Sequence, residues 1–240
     1  MPQFPPEKFL DFVTNFRSTN KNQKEALLEF AKAVASLNPN LFADEATWVK
    51  KYRTGETSNS KVLKVPYFSQ RDNYTDASRT CFSSSCAMLL EFLKPGTLPG
   101  PKGDDAYLKR VFSIGDSIYP AVQTQALASF GLKTKFVTNA TFSQLDSQLW
   151  QNKPVPIGIL HKGPANAPSG DGHWIIVIGK KEDSSAPGGA WYVVHDPWGE
   201  ITHSSGTYQS VNGESKLYSK SLLKSRWTVE GDGSGYAIIA

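Results

Sequence analysis

The sequence is poor in the residues that build metal clips and disulfide frameworks: among 240 residues there are two cysteines, Cys81 and Cys86, and four histidines. Two thiols do not make a disulfide scaffold. They cannot bridge each other either if the run from Cys81 to Lys94 is helical. Five rises of about 1.5 Å separate their Cα atoms by about 7.5 Å, beyond the bridging limit of about 7 Å. No two histidines have the spacing of zinc ligands, so no metal is expected from them. No apolar run approaches the roughly 18 residues of a membrane span, and "MPQFPPEKFL" lacks the basic start and apolar middle of a secretion signal. The 26 Lys and Arg exceed the 22 Asp and Glu by four, but they are scattered, which argues against a nucleic-acid partner. The chain is expected to be made in the cytoplasm without a signal peptide, and a monomer is expected.

What is present suffices for a full core: 39% of residues are hydrophobic and 20% charged. Residues 1–60 read as a small helical module. "PPEKFLDFVTNF" and "NQKEALLEFAKAVASL" carry apolar residues at helical spacing, a third short helix follows in "ADEATWVKKY", and the polar "RTGETSNSK" is a linker. Residues 61–240 form the second domain. It starts with the extended "KVLKVPYFSQ". Helices are predicted in "CFSSSCAMLLEFLK", "DAYLKRVF", "YPAVQTQALASF" and "TFSQLDSQLWQ". Strands are predicted in "LKTKFVT", "PVPIGIL", "HWIIVIGK", "AWYVVHD", "SRWTVE" and "GYAIIA". Helices first and strands later imply an α+β fold, with a helix packed on an antiparallel sheet.

The two cysteines read differently. Phe82, Cys86, Leu89, Leu90 and Leu93 fall on one helical stripe, so Cys86 is a core residue. Cys81 lies in the first helical turn with Thr80 as N-cap, where free backbone N–H groups favour a thiolate, and "SSS" leaves room for a substrate. A thiol nucleophile needs an imidazole and a group to orient it. His173 opens one strand and "AWYVVHDPWG" is the next. If these form a hairpin with His173 opposite Asp196, then Ile175 faces Val194, Val177 faces Tyr192, and His195 points to the other face with Trp174. Asp171 reads as turn chemistry, and His161 and His203 as loop surface. Asp72 and Asp76 could hold calcium, or could simply precede a helix.

The segments "VPYFSQRDN…TCFSSSCAMLLEFL", "GHWIIVIGK" and "YVVHDPWGE" together resemble the papain-like cysteine peptidases of the bacteriocin-leader-processing type, over about Val65 to Glu200. The resemblance implies a papain-like fold with no cofactor. It makes Cys81 the nucleophile, His173 the general base and acid, Asp196 the orienting residue, and Gln70, otherwise only a surface glutamine, an oxyanion-hole donor. Phe82 and Ser83 stand where that family has Gly-Pro, which bears on the depth of the substrate cleft. A peptidoglycan stem peptide is the expected substrate. The chain would then be an endolysin acting on the bacterial cell wall, as an endopeptidase or amidase. A leader-processing protease and a non-catalytic peptide-binding module are the alternatives.

Overall fold

The computed structural model describes residues 60–202 and 204–240, so the expected helical module and linker before residue 60, and the side chain of His203, lie outside the described residues. Residues 60–240 make one compact unit. Its strands are β1 (Lys61–Val62), β2 (Lys135–Ala140), β3 (Val155–Ile159), β4 (His173–Glu182), β5 (Ala190–His195), β6 (Glu200–Ile201), β7 (Tyr208–Ser210), β8 (Lys216–Ser219) and β9 (Gly235–Ile239). Its helices are α1 (Cys81–Leu93), α2 (Gly103–Ile114), α3 (Pro120–Ser129), α4 (Phe142–Trp150) and α5 (Lys220–Arg226). The main sheet runs β2-β9-β3-β4-β5-β8, with β1 also on β4, and every pairing in it is antiparallel. Strands β6 and β7 form a separate ribbon. The α+β architecture with an antiparallel sheet is as the order of elements implied.

Two local expectations fail. "SRWTVE" is the end of α5 and the turn after it, not a strand. Ser219 accepts a hydrogen bond from Leu222 N and so caps α5. Leu222, Leu223, Arg226 and Trp227 then fall on one buried side at helical spacing, which outweighs the β preference of Trp-Thr-Val. The extended entry is a strand only over Lys61–Val62; beyond it the chain runs irregularly into a 3-10 turn, Gln70–Asp72.

Helix α1 is the centre of the core, packed on β3 and β4 on one side and on α2 and α3 on the other. Every residue from Phe82 to Leu90 is buried, so it presents no single stripe. An apolar helix would satisfy this enclosure with hydrocarbon alone; α1 instead buries Ser83, Ser84 and Ser85, each hydrogen-bonded to a different neighbour. Ser83 Oγ accepts from Gln123 Nε2 of α3 at 2.8 Å, Ser84 Oγ donates to Asp104 Oδ2 of α2 at 2.8 Å, and Ser85 Oγ donates to the Trp174 carbonyl of β4 at 3.1 Å. The three serines therefore leave no room for a substrate. They pin the start of α1 to its surroundings.

Candidate active site

Thr80 stands at the N-cap of α1, as expected, but its side chain does not cap the helix. Its Oγ1 accepts from Asn73 Nδ2 at 2.8 Å, and the same amide donates to Ser84 Oγ at 3.2 Å. This buried chain ties the start of α1 to the turn that carries Gln70. It also leaves the first N–H groups of α1 without a side-chain acceptor, an arrangement suited to negative charge. Asp104 closes the chain. Burial pushes its carboxyl up to about 6 against the hydrogen bond from Ser84.

Cys81 is half-buried and Cys86 fully buried, and neither is in a disulfide. Burial raises the thiol of Cys86, which lies against the Tyr107 hydroxyl. At the start of the helix, Cys81 lies close enough to the ring of His173 to favour its charged form. The other side of that ring is fixed, since His173 Nε2 meets Asp196 Oδ1 at 2.7 Å, both groups being buried. That leaves Nδ1 as the nitrogen able to face the sulfur. Burial opposes charge on the imidazole, but Asp196 and Cys81 outweigh it and raise His173 to about 10.

Asp196 follows β5 and is enclosed by donors. Trp198 N and Gly199 N reach Oδ1 at 2.9 and 3.3 Å, and the Tyr218 hydroxyl reaches Oδ2 at 3.0 Å. Its carbonyl accepts from the Tyr67 hydroxyl at 3.2 Å, and its N–H donates to Gly213 O at 2.9 Å. A side chain at Gly213 would collide with the Asp196 carbonyl, so glycine is required there. A carboxylate held by so many donors stays in place without water.

The hairpin that joins these residues has a different register from the expected one. Val177 pairs with Val194 and Ile176 with His195, a slip of two residues. His173 itself pairs with Ile159 of β3. A two-residue slip preserves the face, so Asp196 stays on the side of His173 as a diagonal neighbour. His195 takes the opposite face, its Nε2 at 3.0 Å from Val65 O and its Nδ1 accepting from Ser215 N at 2.9 Å. A bulge between Val177 and Gly179 shifts the remainder of the hairpin by one more residue.

Gln70 is not a surface residue. It is 1% exposed in the 3-10 turn, with Nε2 donating to Ala77 O at 2.7 Å and its backbone N–H donating to Pro197 O. Its second amide hydrogen has no protein acceptor among the described residues. Asp171 is exposed on the turn before His173 and does not orient it. His161 is half-buried with its ring centroid 5.3 Å from that of His173, and burial together with that neighbour lowers it to about 4. The ring of Tyr208 stands edge-on to His173 at 6.1 Å. Among the described residues, no group of three or more His, Cys, Asp or Glu could hold a metal, so Asp72 and Asp76 belong to no such cluster. Nothing in the hydrophobic periodicity pointed to Tyr67, Tyr208, Tyr218 or Gly213. They reach the site from distant segments.

The sequence profile of the Peptidase_C39 like family matches residues 62–228, most of the chain. The chain belongs to that family. The fold agrees with a protein from Bacillus anthracis assigned as a C39-like peptidase, at TM-score 0.51 and 15% identity over 75% of this chain and 97% of that one. UfSP from C. elegans has a TM-score of 0.43 and 12% identity, covering 76% of this chain and 34% of its own. Digestive procathepsin L2 from the larval midgut of Tenebrio molitor has a TM-score of 0.40 and 12% identity, covering 98% and 99%. No curated protein matches the sequence. Family and fold are those of a cysteine peptidase. Where the expected Gly-Pro is replaced, Phe82 is buried and stacks on Trp174 at 3.6 Å between ring centroids, so the substitution fills space beneath the sheet face.

Proposed function

We propose that this member of the C39-like family hydrolyses peptide amide bonds through a thioester on Cys81. The observation that carries the reading is the buried His173–Asp196 pair, which leaves the second ring nitrogen for the sulfur at the start of α1. His173 takes the Cys81 proton as the sulfur attacks the amide carbonyl. The tetrahedral oxyanion is met by the Cys81 N–H and the Gln70 amide, each donor worth roughly 3 kcal/mol. The C–N bond breaks as His173 returns the proton to the leaving amine. Water, deprotonated by His173, then attacks the thioester and releases the acid and the thiol. No step calls on a cofactor. Asp196 keeps the ring oriented through both transfers.

For substrate, the reading is the stem peptide of peptidoglycan, as for an endolysin acting at the bacterial wall, supported by the mildly basic net charge of the chain. Leader-peptide processing is the second reading, favoured by the family match. Digestion of purified peptidoglycan, with mass spectrometry of the released fragments, tests the first. New amine termini in stem peptides are expected. Intact walls together with cleavage of a double-glycine leader peptide would move the assignment to the second.

A further inference from the structure

A cavity of about 930 Å³ opens beside the site. Gly172 and Trp174, on either side of His173, both line it, and Trp174 in turn stacks on Phe82 next to Cys81. Its size is within the range of ligand pockets, and its walls are aromatic: Phe136, Trp174, Trp227 and Tyr236. Phe136 and Tyr236 meet edge-to-face at 5.7 Å, and Tyr236 is half exposed. An apolar substrate would ask nothing more of such walls, yet two carboxylates, Asp171 and Glu230, also line the cavity. Both are exposed, and neither is in an ion pair among the described residues.

Among the described residues, the cationic side chain in the lining is turned to other partners. Arg226 is buried, and its two terminal nitrogens donate to the carbonyls of Leu160, Lys162 and Gly163 at 2.7 to 3.1 Å, while its Nε has no partner among the described residues. Among the described residues the two exposed carboxylates outnumber that single buried guanidinium in the lining, although the chain as a whole carries a formal +4. Aromatic faces attract an ammonium through their quadrupole and cover the methylenes that carry it, and carboxylates at the opening complete the match.

We propose that this cavity receives a long basic side chain of the substrate, a lysine or other diamino-acid residue close to the bond that Cys81 attacks. The inference rests on the peptidase reading for its purpose but is tested without turnover. In the Cys81→Ala protein, binding of the tetrapeptide Ala-D-Glu-Lys-D-Ala is compared with that of the same peptide carrying norleucine, which keeps the stem and removes the charge. The lysine peptide is expected to bind about tenfold more tightly, with the preference fading as salt is raised. Asp171→Asn combined with Glu230→Gln is expected to erase the preference while leaving norleucine binding unchanged, and Tyr236→Ala to weaken both peptides. Equal binding of the two, binding of neither, or a preference that survives the double substitution overturns the proposal. Hydrolysis of the lysine peptide by the unmodified protein is read separately. If it is bound selectively but not cut, the peptidase reading falls and the site stands.

Discussion

Cys81 and Cys86 lie five positions apart on α1, the first half-buried at the helix start against an imidazole, the second fully buried against Tyr107. The residue type is the same, so the difference comes from position. A thiol in the first turn meets unpaired backbone N–H groups and whatever the sheet presents at that end, whereas one turn and a half later it meets only packed side chains. Any chemistry at the first site therefore depends on what β4 and the segment after β5 deliver, and the second site contributes through packing and its contact with Tyr107.

Replacing each cysteine in turn gives the largest contrast. Cys81→Ala is expected to abolish hydrolysis and labelling by an electrophilic peptide probe. Cys86→Ala should keep both and lose roughly 1–2 kcal/mol of stability, read from denaturant midpoints. Labelling that persists in the first variant and vanishes in the second would invert the assignment. Asp196→Ala comes next, with a fall of about 10²–10⁴ in kcat, because the imidazole loses its orientation, and with reduced stability, because buried donors are orphaned. The pair also sets a pH window. His173 is raised from 6.5 to about 10, so its contribution to stability is whole below pH 6.5 and is lost as pH rises through about 10. Melting temperatures across that range should fall for the native protein and stay flatter in Asp196→Ala.

Gln70→Ala should cost about 10²-fold in kcat with little change in KM, the pattern of a donor used only in the transition state. A change in KM alone would remove Gln70 from the oxyanion hole. The smallest effect concerns the polar chain that seats the helix start. The carboxyl of Asp104 is raised from 3.8 to about 6, so the folded state is penalised as pH climbs through that interval. Asp104→Asn should add roughly 1–3 kcal/mol at pH 7 and almost nothing below pH 4, measured by urea unfolding. A loss of activity without that gain would mean that the carboxylate itself, not only a hydrogen-bonding side chain, is needed to hold Cys81.

The elements were largely legible because their signals are local. The apolar run after Cys81, the helical run of α4 and the β-branched runs of β3, β4 and β9 each speak for themselves. The register of β4 on β5 was not legible, because a two-residue slip leaves the alternation of faces unchanged and so leaves no mark in the sequence. For the same reason the juxtaposition of His173 and Asp196 survived a wrong register. The serine run misled: small side chains look like space, but their hydroxyls serve α2, α3 and β4, partners that lie 20 to 89 residues away.

Taken alone, the sequence determined that Cys81 opens a helix and that His173 and Asp196 share one face of adjacent strands, whereas Gln70 entered only through the family resemblance. Only the tertiary structure decided how they are held: Tyr67, Tyr218 and Gly213 around Asp196, and Asn73, Thr80 and Asp104 behind Cys81. These contacts join segments distant in sequence, and a hydrogen bond depends on separation in space, which periodicity along a chain does not record.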